Sequence, residues 1–110
     1  MNFSGLRVSI LGLGKSGVAL ARELTARGSR VLVSDTRRPE DLQAALADLG
    51  GLSVEVEYAG HSDRVLEADL VVLSPGVSVH HPLVRRALAR ELPVMGEVEE
   101  RVINTAIGAA

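Results

Sequence analysis

The chain has no cysteine, no tryptophan, one phenylalanine and one tyrosine among its 110 residues. Without cysteine there are neither disulfides nor thiolate metal sites. Without aromatic side chains the core has to be aliphatic, and there is no stacking platform for single-stranded nucleic acid. An excess of one charge is also lacking. The 12 Lys and Arg stand against 14 Asp and Glu, a net charge of −2, which gives no field to draw a polyanion, so no nucleic-acid partner is expected. No apolar run reaches membrane-spanning length. The first apolar stretch is short and broken by glycines, unlike a signal peptide. A monomeric, cytoplasmic domain with no membrane partner is the expectation. What the chain does have is apolar content, 46%, in a length that suits one domain and one core but not two.

That content is laid out in a regular alternation. Strands are predicted at 7–11 (RVSIL), 30–34 (RVLVS), 53–57 (SVEVE), 70–73 (LVVL) and 93–95 (PVM). The fourth is a continuous apolar run, as for a strand buried on both faces. The third alternates and should be half exposed. Helices are predicted at 16–27, with Val18, Leu20, Ala21 and Leu24 near helical spacing, at 40–49, at 62–67 as a short turn of helix, from Pro82 to about Arg90, and at 97–105. Gly28 stands where a helix C-terminus favours a left-handed residue. Strand–helix alternation on this scale implies βαβ units and a parallel sheet. The expected fold is α/β, a doubly wound sheet of about five parallel strands in order 3-2-1-4-5 with helices on both faces. Arg37–Pro39 and the segment after about Asn104 are linker candidates.

Three loops carry the candidate chemistry. The first is GLGKSG, residues 12–17, a G-x-G-x-x-G that follows a strand and opens a helix, the context this motif requires. There Gly12 makes the turn, Gly14 lets a phosphate reach the backbone and Gly17 lets helix and sheet pack closely. The helix N-terminus offers free N–H groups and partial positive charge, with Lys15 and Ser16 beside it. The alternative is a tight turn and nothing more. The second loop is SDTRR, residues 34–38. Asp35 ends the second strand, where a dinucleotide domain places the acid that bonds a ribose hydroxyl, or it is a solvated turn helped by Pro39. Arg37 and Arg38 beside it fit a 2′-phosphate or a guanidinium stacked on a base. The third is SPGVSVHHP, residues 74–82, after the buried fourth strand. In the order 3-2-1-4-5, strands 1 and 4 flank the topological switch point, so Ser74, Pro75 and Gly76 should face the glycine loop across one crevice with Asp35 at its rim.

Other candidates are weaker. His80 and His81 are adjacent and point apart, His61 lacks an acid partner at ligand spacing, and no metal is expected. The charges of GEVEER, residues 96–101, read as a solvated helix face, although Gly96 and Glu97 follow a strand and could border the crevice. No nucleophile–base pair and no ATP-binding G-x-x-x-x-G-K-[ST] loop is found.

Taken in order and spacing, GLGKSG, SDTR, ADLVVLSPGV, HP and VMGEVE resemble the N-terminal domain of the Mur ligases over roughly residues 5–100, most closely the D-glutamate-adding branch. The resemblance implies a Rossmann-like, UDP-binding domain at 1–100 and a tail of undefined structure at 101–110. The ligand it implies is the uridine diphosphate of UDP-N-acetylmuramoyl-L-alanine, not NAD. Backbone N–H groups around Gly14, Lys15, Ser16 and Gly17 would hold the diphosphate. Asp35 and Thr36 would read the uracil edge, Arg37 would lie against the base, and Ser74, Pro75 and Gly76 would approach from the fourth strand. Lys15 departs from the family pattern, which has an apolar residue there.

The family uses ATP and Mg2+ to activate a carboxylate for amide formation, a step of peptidoglycan synthesis and thus of cell shape and division. Those sites lie in ATP-binding and C-terminal domains that this chain does not include. The expectation is therefore one domain of a ligase, inactive alone, with no catalytic residue or cofactor of its own and the remaining ligase domains as partners. A small NAD(P)-binding module and a non-catalytic interaction domain are the alternatives.

Overall fold

In a computed structural model, which describes residues 2–96 and the backbone of 101 and 102, the apolar runs form the strands their composition favours. These are β1 (Arg7–Leu11), β2 (Arg30–Ser34), β3 (Val54–Glu57), β4 (Leu70–Leu73) and β5 (Val94–Gly96). All five pair in parallel in the order β3-β2-β1-β4-β5. Central β4 is buried along its whole length, while β3 at the edge is only partly covered. Registers Ile10–Val33 and Ile10–Val72 set the middle of the sheet.

Helix α1 (Lys15–Ala26) turns Val18, Ala21 and Leu24 toward the sheet. It stops at Gly28, whose φ of 91° lets Ser29 N–H reach Leu24 O at 3.0 Å and Gly28 N–H reach Thr25 O at 3.0 Å, the paired bonds that close a helix C-terminus. Helix α2 (Gln43–Asp48) follows a 3-10 turn at Pro39–Leu42, so the helix expected at 40–49 is split. Pro39 and two acids open the turn, and only its Leu42 anchor is fully buried. Residues Asp63–Glu67 are likewise a 3-10 turn. Helix α3 (Pro82–Ala89) starts at its proline, with His81 Nδ1 accepting from Leu83 N–H at 3.1 Å. Helices α1 and α2 seal one sheet face with Leu13, Leu42 and Leu49, while the 63–67 turn and α3 seal the other with Val65, Leu66, Leu83 and Val84.

The helix expected over 97–105 fails as well. Arg101–Val102 form a strand, β6, antiparallel to β5 through Gly96–Arg101 and Met95–Val102, and not part of a helix over 97–105. The segment 97–105 carries a helix-like charge pattern, but pairing with an otherwise open β5 edge satisfies backbone groups that a short helix cannot. GEVEER is accordingly no helix face at its two ends. Its residues 97–100, with the rest of the expected helix and tail, lie outside the described residues.

Ile10, wholly buried at the sheet centre, tests this packing. Ile10→Ala is expected to cost about 2–5 kcal/mol and Ile10→Val about 0.5–1.5 kcal/mol, read from urea midpoints. Similar small losses for both would place Ile10 outside the core.

Candidate functional site

The site is built where the carboxyl ends of β1, β2 and β4 meet. Beyond Leu11, Gly12 turns at φ 101°, with its N–H still held by Ser34 O at 2.8 Å. A side chain at Gly12 would meet Ser74 Cβ at 3.0 Å, and one at Gly17 would strike the Gly12 carbonyl oxygen. A Cβ at Gly14, by contrast, meets nothing within 4 Å. Two glycines thus serve close packing and one leaves open space. Helix α1 begins at Gly14 without a side-chain cap, and its first bond runs from Val18 N–H to Gly14 O. The N–H groups of Lys15, Ser16 and Gly17 have no acceptor within the helix.

The β2 end locks this loop in place. Asp35 is buried, 4% exposed, and not at a rim. Its Oδ2 accepts from Leu13 N–H at 2.8 Å and from Arg37 Nη2 at 2.9 Å. Its Oδ1 accepts from Arg37 N–H at 2.8 Å and Arg37 Nε at 3.1 Å. Arg37 Nη2 also donates to Leu13 O at 3.2 Å, so Leu13 is gripped at both its backbone groups. Arg37 is therefore part of the site and no linker. Burial alone would raise the Asp35 carboxyl, but the bonds from Arg37 and the Arg37 and Leu13 N–H groups outweigh it and bring it down to about 2. From β4, Ser74 Oγ donates to Gly12 O at 2.9 Å, joining the third loop to the first. Gly76 sits at φ 95° with open space around it.

Together these loops border an open cavity of about 420 Å³ lined by residues 12–17, 35–37 and 74–77 and by His61. That volume lies within the range of small-ligand sites. All ten sequence-derived site residues line it. Four more line it, Gly12 and Leu13 inside the glycine loop, and Val77 and His61 outside it. Val77 is an apolar residue beside a turn, with no signal of its own. His61 arrives from the β3–β4 loop, because Ala59 N–H bonds Arg37 O at 2.9 Å and folds the loop over the β2 end. Its ring meets His81 edge-on at 5.4 Å between centroids, a pairing across 20 residues that spacing does not reveal. His61 Nδ1 faces Ser34 Oγ, which also bonds Glu57, but Ser34 is wholly buried and is no nucleophile. Among the described residues no group of three His, Cys, Asp or Glu is placed to hold a metal ion, and no helix is long and apolar enough to cross a membrane.

The family model for the Mur ligase MurD-like N-terminal domain matches residues 6–96. The chain belongs to this family. It is 42% identical over 95 residues to the UDP-N-acetylmuramoylalanine--D-glutamate ligase of Chlorobium phaeobacteroides, covering 86% of this chain and 20% of that enzyme. It is 39% identical over 100 residues to the ligase of the same name from Koribacter versatilis, covering 90% and 22%. The chain thus spans about a fifth of the length of these relatives. Among solved structures it is similar to the D-lactate dehydrogenase of Escherichia coli, with a TM-score of 0.60 and 25% identity over 87% of this chain and 29% of that one. Shikimate dehydrogenase from Aquifex aeolicus gives 0.60 at 13% identity over 88% and 44%. These two bear out the Rossmann-like sheet of this MurD-like domain.

Two outcomes follow from the loop geometry. Gly17→Ala is expected to lose about 1–3 kcal/mol by overpacking against Gly12, whereas Gly14→Ala stays within about 0.5 kcal/mol. Denaturant titrations of both variants check this, and equal effects would contradict it. Asp35 carries a pH signature. An ordinary aspartate titrates near 3.8 and this one at about 2, so its ionised form stabilises the fold by roughly 2 kcal/mol above about pH 4, and that gain disappears as pH falls toward 2. Asp35→Asn should therefore be less stable than the parent at pH 7 and nearly equal to it at pH 2. A gap independent of pH would exclude the carboxylate as the cause.

Proposed function

We propose that the cavity holds the uridine diphosphate of UDP-N-acetylmuramoyl-L-alanine, and that the chain is the substrate-anchoring domain of a UDP-N-acetylmuramoylalanine--D-glutamate ligase. The observation that carries this is the convergence of three loops on one cavity, in a chain of the MurD-like family. The free N–H groups of Lys15, Ser16 and Gly17 suit a diphosphate, and the open space at Gly14 lets it approach. The Ser16 hydroxyl and the Lys15 charge add to that end. Ser74, Pro75 and Gly76 form the opposing wall.

At the β2 end, Asp35 and Thr36 read the uracil edge. All the lone-pair positions of Asp35 are engaged by Leu13 and Arg37 without ligand. Arg37 is half exposed, so its guanidinium can leave the carboxylate and lie flat on the base, freeing Asp35 to accept the imide N–H. In the whole ligase, located in the cytoplasm, ATP with Mg2+ supplies phosphoryl activation of the muramoyl-alanine carboxylate. The amine of D-glutamate then displaces phosphate to form the amide. That chemistry belongs to the remaining ligase domains, and this chain's part is to bind and orient as a monomeric module. An NAD(P) module is the rival, favoured by the sheet's likeness to the D-lactate dehydrogenase.

Amide spectra recorded during titration with UDP, NAD and NADP decide between them. UDP is expected to shift residues 12–17, 35–37 and 74–77. Shifts with NAD alone, or centred away from these loops, would overturn the reading. ATP-dependent ligation by the 110-residue chain alone would equally contradict its role as an anchoring domain.

A further inference from the structure

His61 stands on the cavity wall with Asp35, Thr36 and Arg37, yet it belongs to none of the three loops. Its turn is tied to the β2 end by Ala59 N–H on Arg37 O at 2.9 Å and Gly60 N–H on Asp35 O at 3.2 Å. The ring is oriented from behind. His61 Nδ1 lies 2.6 Å from Ser34 Oγ, and Ser34 Oγ lies 2.5 Å from Glu57 Oε2. Burial opposes ionisation of Glu57, but bonds from Ser34 and Ser62 prevail and hold its carboxyl below the ordinary value. An ionised carboxylate only accepts, and a serine has one proton to give. That proton goes to Glu57, so Ser34 Oγ accepts from His61 and the imidazole carries its hydrogen on Nδ1.

Burial and the neighbouring His81 make His61 less basic than usual, against smaller opposing effects of Glu57 and Asp35. The ring is therefore neutral at pH 7 and above, and Nε2 keeps its lone pair. Nε2 has no protein partner among the described residues, and it is not sealed from solvent. Asp35, the other strong acceptor at this end of the cavity, is held by Leu13 and Arg37 and in the proposed complex takes the base imide, which leaves the ribose hydroxyls for His61.

We propose that His61 is a specificity-determining residue of the nucleotide site, its Nε2 accepting a hydrogen bond from a ribose hydroxyl of the ligand, the base imide N–H being taken by Asp35. The inference rests on the uridine-nucleotide reading and deepens it. A lone pair repels phosphate oxygens, so the diphosphate sits away from His61, over the α1 N-terminus, and the nucleoside lies toward β2. Ser34 and Glu57 are positioning residues, since they set the tautomer and touch no ligand.

The test titrates the chain and its His61→Phe, His61→Gln and Ser34→Ala variants with UDP, 2′-deoxy-UDP, 3′-deoxy-UDP, N3-methyl-UDP and inorganic pyrophosphate. The imidazole nitrogen spectrum is recorded for each protein. Phenylalanine keeps the ring and its contact with His81 but removes the acceptor. His61→Phe is expected to weaken UDP roughly 2- to 10-fold, to leave pyrophosphate unchanged, and to abolish the preference for UDP over one of the two deoxy analogues, while N3-methyl-UDP keeps the handicap set by Asp35. Which deoxy analogue loses its handicap tells the 2′-hydroxyl from the 3′-hydroxyl. His61→Gln should restore part of that preference. The parent should show the Nδ1–H tautomer, and Ser34→Ala should mix tautomers and narrow the preference. If His61→Phe does not fold, the Ser34→Ala spectrum and preference decide alone.

Equal weakening of every ligand, pyrophosphate included, would make His61 structural and overturn the proposal. So would an unchanged analogue preference, or an Nε2–H tautomer in the parent. UDP binding that survives with its preference intact sinks this proposal alone. A parent that binds no UDP sinks the nucleotide reading and this proposal with it.

Discussion

The Asp35 carboxylate is the tie on which the site depends. A glycine-rich loop has little of its own to hold it in shape, because glycine loses the most conformational freedom on folding. Here the loop is fixed from outside. Leu13, at its centre, is buried by its side chain and bonded at both backbone groups by Asp35 and Arg37. Burying a carboxylate is costly unless it is paired and hydrogen-bonded, and this one accepts from four N–H groups. The pairing that keeps Asp35 ionised is the same pairing that holds Gly14 and the first turn of α1 open.

The proposed binding mode turns on that arrangement. Arg37 is the exposed half of the ion pair and Asp35 the buried half. With Arg37 moved off the carboxylate, Asp35 would still be held by the Leu13 and Arg37 N–H groups, so the loop would keep its anchor in the binding mode proposed above. The Arg37 side-chain bonds are the largest of the effects that hold the Asp35 carboxyl low, so in that exchange the incoming donor has to replace them. The neighbouring Ser34–Glu57–His61 chain is of the other kind. Its serine is wholly buried and its imidazole is held from behind, so it presents a fixed surface, not a movable one.

The sheet sets the distances between these groups. Parallel pairing of β1 with both β2 and β4 brings three carboxyl ends to one level, with Leu11 opposite Ser34 and Leu73. Each next residue then faces a shared space. Ser74 Oγ on Gly12 O closes it from the β4 side. A side chain at Gly17 has no room because the helix must approach both β1 and Ser74 closely. The edge strand β3 is only partly covered, yet it supplies Glu57, whose bonds to Ser34 and Ser62 reach into the site.

Much of this was legible in the residues. Apolar runs at 7–11, 30–34 and 70–73 became strands at those limits, because a continuous apolar stretch has few other places to go in a chain this short. The glycine spacing located the loop, and residues 35–37 and 74–76 fell on the same cavity because strand order alone brings those ends together. Local pattern misled where local and tertiary demands differ. Residues 40–49 and 62–67 read as helices and became in part 3-10 turns, and Arg101–Val102 paired with a sheet edge that no local pattern displays. The sequence by itself determined the alternation, the strand faces and the placing of the glycine loop, since these depend on periodicity and on the special backbone of glycine. Only the tertiary structure decided that Asp35 is buried and saturated, and that His61 stands opposite Ser34 and His81. Such contacts join residues 20 to 27 positions apart, through loops whose paths are set by packing and backbone bonding, not by any repeat in the chain.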